Sequence, residues 1–442
     1  MERRNIKRYI LVTSVCFLMA MGTVVTAAVS SEYQCNINWR QFEGKTVRLI
    51  LNRHPWQEAI EPLIPEFEKL TGIKVKCDIY PEAEYYTKVR SDLAAGILKQ
   101  DVYMTSYLDL PKYVENGWIA NLDPFLSNSE LTDENWFDLN DFYGGIREGS
   151  TLKNSLYIMP IMGTSQVLIY RKDILTKLGL RIPGTLEEVK EVARKIKEET
   201  PLYGITLRGG QYLFCPLNGY VYSYGGEYFD DDLNPTLNSP QAIEATKLYV
   251  DTLKYAPPGV VSYDWDEINT ALLSGAAAMF LDSCVIWPRV IDPKVSVIAD
   301  KVGIAPMPAG PTGPIGILDY WSIGISNLSK NKEVAWFFLQ WATSKPIQLE
   351  LAKKGIFPPR ASLATKSELI EAVGGDFVDA VGISLKTARP FRVFTEFWRW
   401  MKVVTTSVQK AILKEMTVEE ALNEGQKELE GMVSEWRKTH QK

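Results

Sequence analysis

Only two histidines occur in the 442 residues, His54 and His440. A serine, histidine and acid relay would have to rest on His54 alone, because His440 lies in the terminal tail. No HExxH helix and no EF-hand spacing is present. Glu43-Gly44-Lys45-Thr46 ends like a phosphate loop, yet Trp39 stands where that loop requires its first glycine. Cysteines number five, and none pair at the close spacing of a zinc or redox site. Cys16 falls in the leading apolar run. Cys35, Cys77, Cys215 and Cys284 form an even set, compatible with disulfides in an oxidising compartment or with buried thiols. Basic charge is also short: 49 Lys and Arg face 54 Asp and Glu, a net of −5, which argues against nucleic acid as a partner. One long uncharged apolar run exists, Tyr9 to Val25, and no later segment is fit to span a membrane.

What is present begins with that run. Arg3, Arg4, Lys7 and Arg8 precede it and Thr26-Ala27-Ala28 follows, the pattern of a signal peptide over 1–28 and hence of export. Kept rather than cleaved, the same run is long enough to be an anchor. Cleavage leaves 45 basic against 53 acidic side chains, a net of −8. Lipid attachment is disfavoured, since Cys35 follows Glu32-Tyr33-Gln34 rather than a small apolar triplet. The length exceeds one ordinary core and predicts two lobes of roughly 150 to 200 residues.

Along the chain, TVRLIL at 46–51 reads as a strand, Trp56 to Leu70 as an amphipathic helix, and KVKCDIY as a second strand. A helix over Tyr85 to Ala95 and a strand over Val102 to Met104 complete a βαβαβ opening, which predicts a parallel sheet with right-handed crossovers. A second α/β pattern starts near Tyr157 to Tyr170. It carries a helix at Leu186 to Glu199, a strand at Gly204 to Leu207, and a helix at Pro240 to Leu253. Helices at Val393 to Lys414 and Val418 to Arg437 close it. Between these parts lies the stretch Ala256 to Trp287. Pro257-Pro258-Gly259 break the chain, Asp264 to Glu267 open a helix, Gly275 stops it, and Ala276 to Leu281 reads as a buried strand ending on Asp282. Strand ends of this kind are where α/β sheets bind ligands.

Gly275-Ala276-Ala277-Ala278-Met279 resembles the Gly-x-Ala-Ala-Met signature of the family 1 extracellular solute-binding proteins that feed ABC importers, and PPGVVSYDWDE resembles the sugar and polyol branch. The likeness is collinear from about Thr46 to the C-terminus. It implies a type II periplasmic-binding-protein fold: α/β, two-lobed, with three inter-lobe crossings and a ligand cleft between the lobes. The division it implies is 40–158 with 283–328 for the first lobe, including a strand at Val302 to Ala305. The second lobe takes 159–282 with 329–442, including the helix in KNKEVAWFFLQWATS. Function by resemblance is capture of a neutral sugar or sugar alcohol for a membrane permease by a monomer, without catalysis, cofactor or metal.

A polyhydroxylated ligand needs planar hydrogen-bonding groups and aromatic platforms, and these fall at strand ends and crossings. The candidates are Trp56, Tyr107, Arg208, Gln211, Trp265, Asp282 and Trp287. Gly209-Gly210, beside Arg208, would let backbone approach a ligand. By resemblance, Asp319, Tyr320 and Trp321 match the family's cleft segment before the third crossing, and Arg360 its cleft loop. A glycoside hydrolase built on paired carboxylates among Asp264, Asp266, Asp282 and Asp319 is the rival, decided by their separation. A peptide or anion binder would need more cleft cations than Arg208 and Arg360.

Overall fold

The computed structural model describes residues 33–440. The expected signal peptide or anchor at 1–28 lies outside the described residues. No described helix is long and apolar enough to cross a membrane.

Two separate sheets organise the chain. Strands β1 (Thr46–Asn52), β2 (Lys74–Tyr80) and β3 (Val102–Ser106) run parallel, as the βαβαβ pattern predicts. Helices join them: Pro55–Ile60 and Ile64–Thr71 after β1, and Glu82–Ala94 after β2. The first connection was expected as one helix. Pro62 and Pro65, which cannot donate to a helix interior, split it by starting a 3-10 turn and a new helix.

A two-residue hairpin, β4 (Thr151–Leu152) and β5 (Ser155–Leu156), precedes β6 (Ile158–Pro160) and the long β7 (Thr164–Arg171). The second sheet is built on β7. Its neighbours are β8 (Met279–Ser283), β9 (Val302–Pro306) and β10 (Leu318–Asp319), all antiparallel to it. One residue past β10, β11 (Trp321–Ile325) re-enters the first sheet, antiparallel to both β3 and β6. The order there is β2-β1-β3-β11-β6. The chain therefore passes between sheets within 161–163 and again at Tyr320.

Two expected placements are corrected. Val302 to Ala305 does not complete the first sheet; it lies along β7 with Leu168 opposite Ala305 and Ile169 opposite Ile304. A five-residue apolar strand fits either sheet, and β7, with Val167, Leu168 and Ile169 fully buried, offers the longer unpaired edge. The helix Lys332–Ala342 does not join the second lobe either. It packs against β1 and β11, sinking Trp336, Phe337 and Trp341 into the first core. Helices Gly375–Thr387, Phe397–Ile412 and Val418–His440 surround the second sheet and its helical layer. Gly275, at φ +72, ends the helix Trp265–Leu273 as expected. Cys35, Cys77, Cys215 and Cys284 are free thiols.

Candidate functional site

The three parallel strands of the first sheet all end at one hollow. Asn52 closes β1, Ser106 closes β3, and Glu82 begins the helix that follows β2. His54 caps the helix Pro55–Ile60, its Nδ1 accepting from the Trp56 N–H at 3.1 Å. From the second body come Thr164 at the start of β7, Ser283 at the end of β8, and the loop Arg208 to Tyr212. The enclosed space is about 60 Å³.

Its polar heart is a fork. Arg208 donates Nε to Asp282 Oδ2 at 2.8 Å and Nη2 to Oδ1 at 3.1 Å, with both side chains almost entirely buried. Trp265 lies 5.3 Å from the same guanidinium, a cation–π geometry. Asp264 does not face the hollow; its carboxylate accepts the backbone N–H groups of Gln211 at 3.0 Å and Tyr212 at 2.9 Å, which fixes the loop. Gly209 and Gly210 serve this packing. A Cβ on Gly210 would stand 2.5 Å from the Asp264 carboxylate, and one on Gly209 2.2 Å from the Val260 carbonyl, so close approach is to the protein itself.

Aromatic rings form the walls. Tyr86 stands 5.7 Å from Trp321, 5.9 Å from Trp398 and 6.4 Å from Tyr212, and His54 stands 5.7 Å from Trp321, all as ring centroids. Trp398, at the start of the helix Phe397–Ile412 in the second body, reaches the first: its Nε1 donates to Asp109 Oδ1 at 2.8 Å. Arg90 bonds the same oxygen at 2.9 Å, with its guanidinium 4.5 Å from the Tyr86 ring and 4.6 Å from the Trp398 ring.

Burial dominates the titrations. It pushes the Glu82 carboxyl up to about 7, opposed by Arg208 and reinforced by Asp264, Asp266 and Asp319. Asp319 is pushed up to about 6 by burial, with Arg208 opposing and Asp282 reinforcing. His54 is driven down to about 3 by burial, with Arg289 adding to it, and is neutral at any physiological pH.

Of the residues expected at the site, Arg208, Trp265, Asp319 and Trp321 line the hollow and Asp282 stands directly behind Arg208. The others are elsewhere. Trp56 is fully buried behind its capping histidine, and Gln211 turns its side chain to solvent. Trp287 stacks on Phe377 at 5.6 Å and 8°, its Nε1 donating to the Val373 carbonyl, which makes it core. Tyr107 and Tyr320 stack on each other at 4.8 Å and 13° beneath the crossings. The Tyr107 hydroxyl donates to the Leu318 carbonyl and accepts from the Phe391 N–H, while Tyr320 donates to the Ile146 carbonyl. Arg360 is fully buried and ties three carbonyls, those of Thr343, Asp138 and Phe137, at 2.7 to 2.9 Å.

Asn52, His54, Glu82, Tyr86, Tyr212 and Trp398 were not foreseen. The strand-end rule that singled out Asp282 applies equally to Asn52 and Glu82. Nothing local distinguishes Trp398 from the other aromatic residues of its helix. Of the carboxylates considered for hydrolysis, Asp282 is held by Arg208, Asp264 by backbone amides, and Asp266 lines other depressions. What the hollow offers is aromatic faces, an oriented guanidinium and carboxyl acceptors.

Residues 53–349 match the family of bacterial extracellular solute-binding proteins. The erythritol/L-threitol-binding protein of Mycolicibacterium smegmatis is 31% identical over 387 residues, 78% of this chain and 81% of that one. The mannitol-binding protein of Pseudomonas aeruginosa is 30% identical over 68% of this chain and 70% of its own. Among solved structures, an ABC transporter solute-binding protein of Agrobacterium radiobacter K84 in complex with ribitol superposes with a TM-score of 0.80. It is 27% identical, and the match covers 88% of this chain and 99% of that one.

Proposed function

The chain belongs to the bacterial extracellular solute-binding proteins of ABC importers, and on that premise we propose that its cleft captures a neutral sugar or sugar alcohol. The family binds and delivers; it does not catalyse. The observation that carries the ligand class is the arrangement of Arg208, held edge-on by Asp282, facing Glu82 and Asp319 between the rings of Trp265 and Trp321. Vicinal hydroxyls each donate and accept, so a guanidinium and a carboxyl bridge adjacent oxygens, while C–H faces rest on indole. The relatives' names and the ribitol in the solved neighbour point to the same chemistry.

The lobes of this reading divide at three passages, 161–163, Tyr320 and 361–374. One takes 33–160 with 321–360, the other 164–319 with 375–440. Closure brings Arg208, Tyr212 and Trp398 onto Asn52, Glu82 and Tyr86, and the closed form is what a membrane permease receives. Segment 1–28 directs export and, if retained, tethers the protein to the membrane. The chain acts as a monomer.

Calorimetric titration with erythritol, ribitol, D-mannitol, D-sorbitol and maltose tests this. At least one four- to six-carbon polyol should bind at about micromolar Kd, worth about 8 kcal/mol. Trp321→Ala should weaken that binding at least tenfold while the unfolding transition stays cooperative. Silence across the panel would overturn the reading.

A further inference from the structure

The cavity has more acceptors than a neutral polyol needs. Its one cation, Arg208, is already committed to Asp282. Glu82 and Asp319 face the same space with no cationic partner within ion-pair distance among the described residues. Asn52 is only 2% exposed, and its Oδ1 has no hydrogen-bond partner. Around these acceptors stand the faces of Tyr86, Tyr212, Trp265 and Trp398.

A hydroxyl brings one donor and two lone pairs, so each one added to such a site supplies acceptors as fast as donors. An ammonium group brings three donors and no lone pair. Aromatic faces stabilise a cation further, most strongly where water is excluded. Buried, unbalanced negative charge is costly until a counter-charge or a proton arrives.

We propose that the preferred ligand is an amino polyol or amino sugar, with its single ammonium seated between Glu82, Asp319 and Asn52 and its hydroxyl chain lying towards Arg208 and Trp321. This rests on the polyol reading above and sharpens it. Around Glu82, Asp264, Asp266 and Asp319 add to the negative field and Arg208 opposes it, while Arg53 and Arg289 share a neighbouring depression with Glu82 without pairing to it, Arg289 being bonded to Glu58. Asp319 meets Asp282 and Arg208. Burial raises both carboxyls, so without a cation the site favours holding a proton instead. An arriving ammonium displaces that proton into solvent.

Matched pairs test it: ribitol against 1-amino-1-deoxyribitol, and D-sorbitol against 1-amino-1-deoxy-D-sorbitol. Titration calorimetry at pH 7 in phosphate and in MOPS, two buffers of different ionisation heat that carry neither a primary amine nor a polyol, separates binding heat from proton release. The amine of at least one pair should bind at least tenfold tighter than its parent. It should release about half a proton at pH 7, as expected for a carboxyl titrating near 7 that becomes fully ionised. In Glu82→Gln the ratio of the two affinities should fall at least tenfold, and Asp319→Asn supplies the same readout if the first variant folds poorly. Parent polyols that bind as well as or better than their amines would overturn the inference and leave the neutral-polyol reading standing. Failure of both members of both pairs, with the rest of the sugar panel silent, would overturn both.

Discussion

Replacing Trp398 by phenylalanine separates ligand contact from closure. The ring face beside Tyr86 and Tyr212 is kept, and what is lost is the indole N–H, which spans the two lobes to reach Asp109 at 2.8 Å. Asp109 is 1% exposed, and burial raises its carboxyl, so its hydrogen bonds are made in a setting with little water. A hydrogen bond to a charged group contributes about 1.5–3 kcal/mol. Because its partners sit on different lobes, that energy belongs to the closed form and enters the dissociation constant through the closing equilibrium. The expected loss is therefore about 10- to 150-fold in affinity for the best polyol of the panel. Arg90, still bonded to Asp109 and still over Tyr86, keeps the first lobe intact. Small-angle scattering supplies the second readout: the variant without ligand should show a larger radius of gyration, and saturating ligand should restore the compact value. Asp109→Asn, which touches no ligand, should shift both quantities in the same direction by weakening the acceptor. Affinity within twofold of the parent protein, with unchanged scattering, would refute the latch.

Arg360→Met should behave in the opposite way. It strips three buried carbonyls of their donor in one lobe, so stability in urea should fall by about 3–5 kcal/mol while ligand affinity of the folded protein stays within twofold. The pH dependence follows from Glu82 and Asp319, both raised on folding. Such acids stabilise the folded chain fully below their unfolded values near 4, and the contribution disappears as pH rises through about 6 for Asp319 and about 7 for Glu82. The melting temperature without ligand should therefore lose this contribution between about pH 4 and 7 and level off above it, and Glu82→Gln should flatten the upper part of that decline in a calorimetric pH series.

The parts readable in advance were those decided locally. TVRLIL, KVKCDIY and VYM carry their strand character in their own residues, and the helices between them follow from apolar spacing, so the parallel start needed no tertiary information. Asp282 and Arg208 were visible because each ends a short apolar run; the run before Asp282 becomes β8, while the one before Arg208, expected as a strand over Gly204 to Leu207, pairs only through the isolated bridge of Thr206 to Phe280. Placement of Val302–Pro306 was not readable. Its five residues suit either sheet, and the choice was made by an unpaired edge 130 residues upstream in β7. Arg360 and Trp287 misled for a related reason. A guanidinium or indole near a crossing suits ligand capture and carbonyl capture equally well, and only the positions of Phe137, Thr343 and Phe377 decide between them.

Tyr107 and Tyr320 carry that distinction further. Tyr320 sits at a crossing and Tyr107 just past β3, yet neither lines the ligand hollow, and Tyr107 lines a separate groove of about 830 Å³. Through its hydroxyl Tyr107 joins the strand leaving the second sheet, at Leu318, to the segment entering the last helices, at Phe391. Tyr320 anchors the same stack to Ile146 of the first lobe. Three hydrogen bonds and a parallel ring stack thus pin the chain where the lobes must pivot. Arg208, Tyr212 and Trp398, by contrast, stand on a loop and a helix start that approach the first lobe from the far side of the cleft. A fixed pivot with side chains that meet only across the gap makes affinity depend on a few cross-lobe contacts. For that reason the indole N–H of Trp398 should matter more to binding than the larger buried surface of Tyr320.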